Sequence, residues 1–209
     1  MILHKATNRA TASQQASERI ASAIKAKLAT AARATLIASG GTSPIDCYRS
    51  LAQFDLPWDR VDVILSDERQ VALDDNQRNT KMLRQNLKQS LATSCVIHEI
   101  DAYDHLPTPA AITLLGMGED GHFASIFPDI PELAQTVDLS SCRTIYEVRT
   151  RASSVPRTTL SLSALCNSQL ILLLVFGDKK LNLIDRPDGL PIEHLFNQST
   201  TPVEVIWSS

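Results

Sequence analysis

The spacing of hydrophobic positions changes several times along the chain, and each change marks an element. Residues 11–32 set Ala12, Ala16, Ile20, Ala23, Ile24, Leu28 and Ala31 at three- and four-residue intervals, the stripe of one amphipathic helix. Apolar runs of strand length occur at 35–39 (TLIAS), 61–65 (VDVIL), 96–100, 112–115 (ITLL), 144–148, 170–176 and 203–207. Helical patterns fall at 45–52, 80–91, 181–184 and 191–196. Residues 159–163 alternate polar and apolar and suit a strand or a helix. The run LILLLVF at 170–176 is unbroken, as in a strand covered on both faces. Strands therefore alternate with helices throughout, with no internal repeat, low-complexity tract or linker. This pattern predicts a single domain, residues 1–209, of α/β class. It should be doubly wound, a mostly parallel sheet with helices on both faces, a Rossmann-like three-layer sandwich.

Polar clusters follow the apolar strands at 40–44, 67–69, 116–122 and 177–180. In a mostly parallel sheet such exits share one edge, so the four segments are expected to converge. The densest stretch is ITLLGMGEDGHFASIFP, residues 112–128. Gly116, Gly118 and Gly121 permit a sharp turn or close ligand approach, and the loop carries Glu119, Asp120 and His122. Three glycines with Asp120 and His122 read as a functional loop rather than a turn with a surface histidine. The Gly-x-Gly-x-x-Gly spacing formally matches a dinucleotide fingerprint, but that motif needs its last glycine at the start of a long helix. Pro128 comes too soon for that.

In Gly40-Gly41-Thr42-Ser43-Pro44, Ser43 is the expected N-cap and Pro44 the first helical residue. Two glycines and two hydroxyls before a helix make an anion cradle on unpaired amides; a plain tight turn is the alternative. Asp67, Glu68 and Arg69 put three charges at a strand exit, where burial requires partners. The aperiodic segment 71–79 has the length of a binding loop, although solvated charged loops are common. Asn79 is the expected cap of the next helix. Arg149, Arg151 and Arg157 cluster in sequence. Lys180, in the first turn of a helix at a strand exit, can hold phosphate as a point charge or stay solvated. His98, in mid-strand, reads as structural.

Composition narrows the classes. The 209 residues are 44 % hydrophobic and 21 % charged, enough for one sizeable core. A net charge of −3 with two Trp and no basic–aromatic cluster argues against nucleic acid. No apolar run is long enough to cross a bilayer, and MILHKATNRA lacks a signal core, so no membrane partner is expected. Cys47, Cys95, Cys142 and Cys166 are dispersed and read as reduced thiols of a cytoplasmic protein. None of His4, His98, His105, His122 and His194 is paired at zinc-ligand spacing. No metal is expected; Asp67, Glu68, Glu119 and Asp120 are the carboxylates that could gather round a hard cation.

Taken in order, Gly40-Gly41-Thr42-Ser43-Pro44, Ser66-Asp67-Glu68-Arg69, Asn79, GMGEDGHFASIFP (116–128), and Gly177 with Lys180 resemble the 6-phosphogluconolactonase family. That family sits within the glucosamine-6-phosphate isomerase/6-phosphogluconolactonase superfamily, and the similarity spans nearly the whole chain. The resemblance implies hydrolysis of 6-phosphoglucono-1,5-lactone in the pentose phosphate pathway, without metal or organic cofactor. The expected assembly is a monomer or small homo-oligomer. A histidine suits a general base at neutral pH, and the resemblance points to His122, with Asp120 orienting it. Substrate contacts are expected from Gly40, Gly41, Thr42, Asp67, Arg69, Gly118, Arg157 and Lys180. Arg69 could serve phosphate or sugar. The amides of residues 116–118 are the expected oxyanion donors.

Four departures stand out. Thr42-Ser43 inverts the family's usual order, Phe123 replaces the usual Thr, the region around Arg157 matches less well, and the chain is short at its C-terminus. Two alternatives remain. A glucosamine-6-phosphate deaminase or sugar-phosphate isomerase would typically carry an aromatic residue where Arg69 stands. A non-catalytic sugar-phosphate-binding protein would not need both Asp120 and His122.

Overall fold

The structure, a computed structural model, describes residues 1–209. Its first half runs β1 (Ile2–Lys5), α1 (Arg9–Leu28), β2 (Ala34–Ala38), α2 (Ile45–Leu51), β3 (Val61–Leu65), β4 (Asp67–Arg69), α3 (Asn79–Leu87), β5 (Val96–Ile97) and β6 (Ile112–Leu115). The second half runs α4 (Leu133–Thr136), β7 (Ile145–Thr150), β8 (Ser153–Leu160), α5 (Leu162–Cys166), β9 (Ile171–Phe176), α6 (Asp178–Asp185), α7 (Pro191–Gln198) and β10 (Val203–Ser208).

Seven strands form one sheet in the order β1-β10-β9-β6-β2-β3-β5, and every pairing in it is parallel. Side chains alternate along each strand, which divides the core in two. Leu36, Ala38, Val63, Leu65, Leu172 and Leu174 pack with Ala12, Ile20, Tyr48 and Leu83 of α1, α2 and α3. Ile37, Ile64, Leu173 and Val175 pack with Leu162, Ile184, Ile192 and Leu195 of α5, α6 and α7. Burial on both faces is why these strands read as mostly apolar runs, unbroken in β9. From β2 the chain moves outward through β3 to β5, then returns to the other side of β2 for β6, β9 and β10. The winding therefore reverses between β2 and β6, and a crevice opens at their C-terminal ends.

The elements depart from the sequence expectation in several places. β1 went unpredicted because it is a short, mostly exposed edge strand that carries no periodic signal. The helix expected at 11–32 starts earlier, where the Asn8 side chain accepts from Thr11 N at 2.9 Å, and ends at Leu28. Ser43 does not cap α2; Pro44 holds that position with no side-chain bond. Residues 67–69 are not a loop but β4, the first strand of a second, antiparallel sheet in the order β4-β8-β7. Ser66 links the sheets: its N–H donates to Ala38 O at 2.8 Å and its carbonyl accepts from Leu160 N at 2.9 Å. Residues 159–163 end β8 and, with Ser161 as cap, begin α5. His98 is structural as expected, its Nε2 lying 2.8 Å from Asp62. The Arg33 guanidinium holds that buried carboxylate from its other side.

Candidate active site

The reversal point carries an open cleft of about 260 Å³. The exit of β2 contributes Ser39, Gly40, Gly41 and Ser43, and that of β6 contributes Gly116, Met117, Gly118 and His122. β4 adds Asp67 and Arg69, β8 adds Arg157 and α6 adds Lys180. The two central exits are tied together, since Gly116 N donates to Ser39 Oγ at 3.2 Å. Asn79, at the start of α3, spans the same gap. Its Oδ1 accepts from Gly41 N at 3.4 Å and its Nδ2 donates to Asp67 O at 3.2 Å. A Cβ on Gly40 would fall 2.2 Å from that amide group, so only glycine fits there.

Strand alternation splits the three charges of β4 between two jobs. Asp67 and Arg69 line the cleft, while Glu68 faces α3. Glu68 is 4 % exposed and accepts from Asn79 N at 2.8 Å, Thr80 N at 2.7 Å and Thr80 Oγ1 at 2.7 Å. It therefore caps the helix from a distant strand, in place of the local cap expected from Asn79. Arg78 holds the cap position with no side-chain bond. Glu68→Ala would strand those donors in the interior. We expect a loss of about 3 kcal/mol, read as a Tm lower by roughly 6–12 °C. A Tm within 2 °C of the wild type, on the order of the effect of an ordinary surface substitution, would show that water replaces the carboxylate.

His122 sits where the β6 exit folds back on itself. Its carbonyl accepts from Gly118 N at 2.8 Å, and its Nδ1 lies 2.5 Å from Asp120 Oδ1. The same carboxylate oxygen accepts from His122 N at 3.2 Å. A Cβ on Gly118 would lie 2.2 Å from the imidazole and 2.5 Å from the Asp120 carboxylate, so a bare backbone lets this pair close. The imidazole stacks on Phe127, centroids 4.0 Å apart and planes at 28°. Nε2 has no hydrogen-bond partner in the protein, and the ring lines the cleft. This leaves a ring nitrogen free to exchange a proton with a bound molecule.

Opposite lies a group of poorly partnered cations. Arg69 and Arg157 are directly across from each other in the antiparallel β4–β8 pair, an unfavourable placement for like charges. Arg157 is largely buried yet makes no hydrogen bond; its closest carboxylate oxygen is Asp67 Oδ2 at 3.8 Å. The Nε of each arginine is buried without an acceptor. Arg69 does donate from Nη1 to Gln77 O at 2.8 Å. Burial pushes the Arg157 pKa down, with Asp67 opposing and Arg69 adding. Burial also lowers that of Lys180; Glu119 and Asp120 oppose and Arg9 adds. Half-buried cations with unused donors make an anion site in waiting. Asp67 itself is fixed by Ser125 Oγ, which donates to it at 2.5 Å.

Of the residues expected from sequence, Gly40, Gly41, Asp67, Arg69, Gly118, His122, Arg157 and Lys180 come together in the cleft walls. Asp120 stands behind His122. Thr42 is exposed and outside the walls; Ser43 takes its place. The amides expected to bind an oxyanion are partly used: Gly116 N goes to Ser39 and Gly118 N to His122, leaving Met117 N. The carboxylates do not converge. Glu68 turns to α3, and Glu119 lies 3.7 Å from exposed Lys179. No three His, Cys, Asp or Glu side chains gather in a metal-holding group. Ser39, Asn79, Ser125 and Phe127 had no site role expected of them; Asn79, Ser125 and Phe127 lie in the motifs that carry the resemblance, and nothing in the pattern singles out Ser39.

Comparisons with known proteins bear on this arrangement. A family profile described as glucosamine-6-phosphate isomerases/6-phosphogluconolactonase matches residues 7–207. A 6-phosphogluconolactonase of Caulobacter vibrioides is 35 % identical over 194 residues, covering 84 % of each chain. One from Mesorhizobium japonicum is 32 % identical, covering 91 % of this chain and 88 % of its own. The crystal structure of a 6-phosphogluconolactonase from Shewanella baltica superposes with a TM-score of 0.93 at 28 % identity, covering 100 % of this chain and 98 % of that one.

Proposed function

The chain belongs to the glucosamine-6-phosphate isomerase/6-phosphogluconolactonase family, and from that premise we propose how its cleft works. The activity is that of a 6-phosphogluconolactonase, a carboxylic ester hydrolase acting on 6-phosphoglucono-1,5-lactone. Our reading makes His122 the general base, and the observation that carries it is the His122–Asp120 pair sharing the cleft with cations that keep unused donors.

A lactone is an ester whose carbonyl carbon water attacks once a base takes the water's proton. Asp120 accepts from Nδ1–H of His122, which puts the lone pair on Nε2 and supports the imidazolium that forms. Nε2 takes the proton as the water oxygen bonds to the carbonyl carbon. The Met117 N–H, free of other partners, is our candidate donor to the oxyanion. As the tetrahedral species collapses, the ring C–O bond breaks and the imidazolium returns its proton to the departing oxygen. The phosphate at the far end of the substrate meets Arg157 and Lys180, whose donors find no acceptor in the free protein. Asp67 holds Arg157 from one side, and the Gly40–Gly41 turn lets the ligand come close. We further place the reaction in the oxidative pentose phosphate pathway. The free cysteines suit a reducing cytoplasm.

The test is turnover in metal-free buffer after EDTA treatment, with 6-phosphogluconolactone and glucosamine 6-phosphate offered separately. Hydrolysis of the lactone well above its spontaneous rate, undiminished by EDTA, is the expected result. Turnover of glucosamine 6-phosphate alone would move the chain to the isomerase branch. Loss of lactonase activity that a divalent ion restores would take the proton-abstracting role away from His122.

A further inference from the structure

Phe127 touches both halves of the machinery. Its ring stacks on His122 at 4.0 Å, and the Arg157 guanidinium carbon lies 5.3 Å from the same ring centroid. Phe127 is 3 % exposed and packs with Ile130, Tyr146 and Val148 in a small core of its own. Tyr146 and Val148 belong to β7, so the ring is braced by the second sheet rather than by the loop that carries His122. The Tyr146 hydroxyl is itself held by Ser141 and by Gln135 O.

We propose that Phe127 is a positioning residue that sets the separation between the proton-abstracting His122 and the phosphate-binding Arg157; this rests on the function proposed above. A hydrogen bond at Nδ1 fixes one point of the imidazole, whereas a stacked ring fixes its plane. The two together determine where Nε2 lies. Arg157 has no hydrogen bond to hold it, so the face of Phe127 and the distant Asp67 carboxylate are its restraints. The phosphate and the lactone carbonyl are ends of one molecule with little length to spare. A base and a cation that drift apart cannot serve both ends at once, and one ring in contact with both prevents that drift. The satellite core beneath β7 thereby acquires a catalytic purpose, although none of its residues meets substrate.

The experiment compares wild type, Phe127→Leu and Phe127→Tyr on 6-phosphogluconolactone and on unphosphorylated gluconolactone. Turnover by the wild type comes first: its failure would remove the proposed function itself, not the role of Phe127. Phe127→Leu keeps apolar bulk and loses both faces. On the phosphorylated lactone kcat should fall about 10- to 100-fold through misplacement of the base, and KM should rise about 3- to 10-fold through loss of the cation–π contact. On the unphosphorylated lactone kcat should fall by the same factor while KM holds. Phe127→Tyr, which keeps the faces, should stay near wild type. A fall in kcat with KM unchanged on both substrates would mean only lost folded enzyme, and would overturn the proposal, as would wild-type constants. Should Phe127→Leu fail to fold, pentafluorophenylalanine at position 127 decides. It keeps the ring shape and reverses the charge of its face. A raised KM for the phosphorylated lactone alone supports the role, and an unchanged KM rejects it.

Discussion

His122→Ala is expected to lower kcat for 6-phosphogluconolactone about 10²- to 10⁴-fold. The imidazole is the group that lines the cleft with a free ring nitrogen and a carboxylate behind it. KM should change little, because Arg157 and Lys180, the groups proposed to take the phosphate, stand on other elements. Stability should fall by no more than about 1 kcal/mol. The ring is partly solvated, and what is lost is one stack on Phe127 and the contact of Nδ1 with the half-exposed Asp120 carboxylate. Free imidazole should restore part of the rate by entering the space left above that ring. The measurement is stopped-flow hydrolysis with the spontaneous background subtracted, alongside a melting curve. A folded variant that turns over at the wild-type rate would hand the role of base to another group.

Arg157→Ala should cost about 10- to 150-fold in kcat/KM on the phosphorylated lactone, the worth of one charge-assisted hydrogen-bonded contact. Most of it should appear in KM. The unphosphorylated lactone, expected to be a much poorer substrate for the wild type, should be nearly indifferent to the change. The stability result is the more telling part. Arg157 is half-buried, faces Arg69 across the strand pair and donates no hydrogen bond, its partners being the Asp67 carboxylate at 3.8 Å and the Phe127 ring, so its removal should leave Tm unchanged or raise it. Function bought at the expense of stability is common where a site waits for a charged ligand. Arg157→Lys should recover only part of the loss, since an ammonium lacks the planar fork. Equal kcat/KM for the two lactones in the wild type would remove the phosphate site from this cleft, and a large drop in Tm would make Arg157 a structural residue.

Much of this was legible in the chain. Parallel strands covered on both faces are mostly apolar, with few polar interruptions such as Asp62 and Glu204, so β2, β3, β6, β9 and β10 announced themselves. Their exits had to share an edge, which gathers Gly40, Asp67, His122 and Lys180 at one crevice. His122 and Asp120 are two residues apart, and so short a loop could hardly keep them separate. What the chain concealed depends on contacts between distant residues. The second sheet has a three-residue strand at its edge and a polar strand at its centre, too short and too mixed for a period to show. It therefore took the fold to set Arg157 opposite Arg69. Glu68 looked like a partner of Asp67 and Arg69 until pleating turned it the other way, onto amides eleven and twelve residues on. The glycine amides looked free until Ser39, 77 residues from Gly116, took one of them. Periodicity records which side of an element is buried. It holds nothing about which atoms from two elements will meet, because that is settled by how the layers pack. The sequence alone therefore determined the fold class and the edge where chemistry would gather, and only the packing of the two sheets decided which charges face the cleft and which brace it.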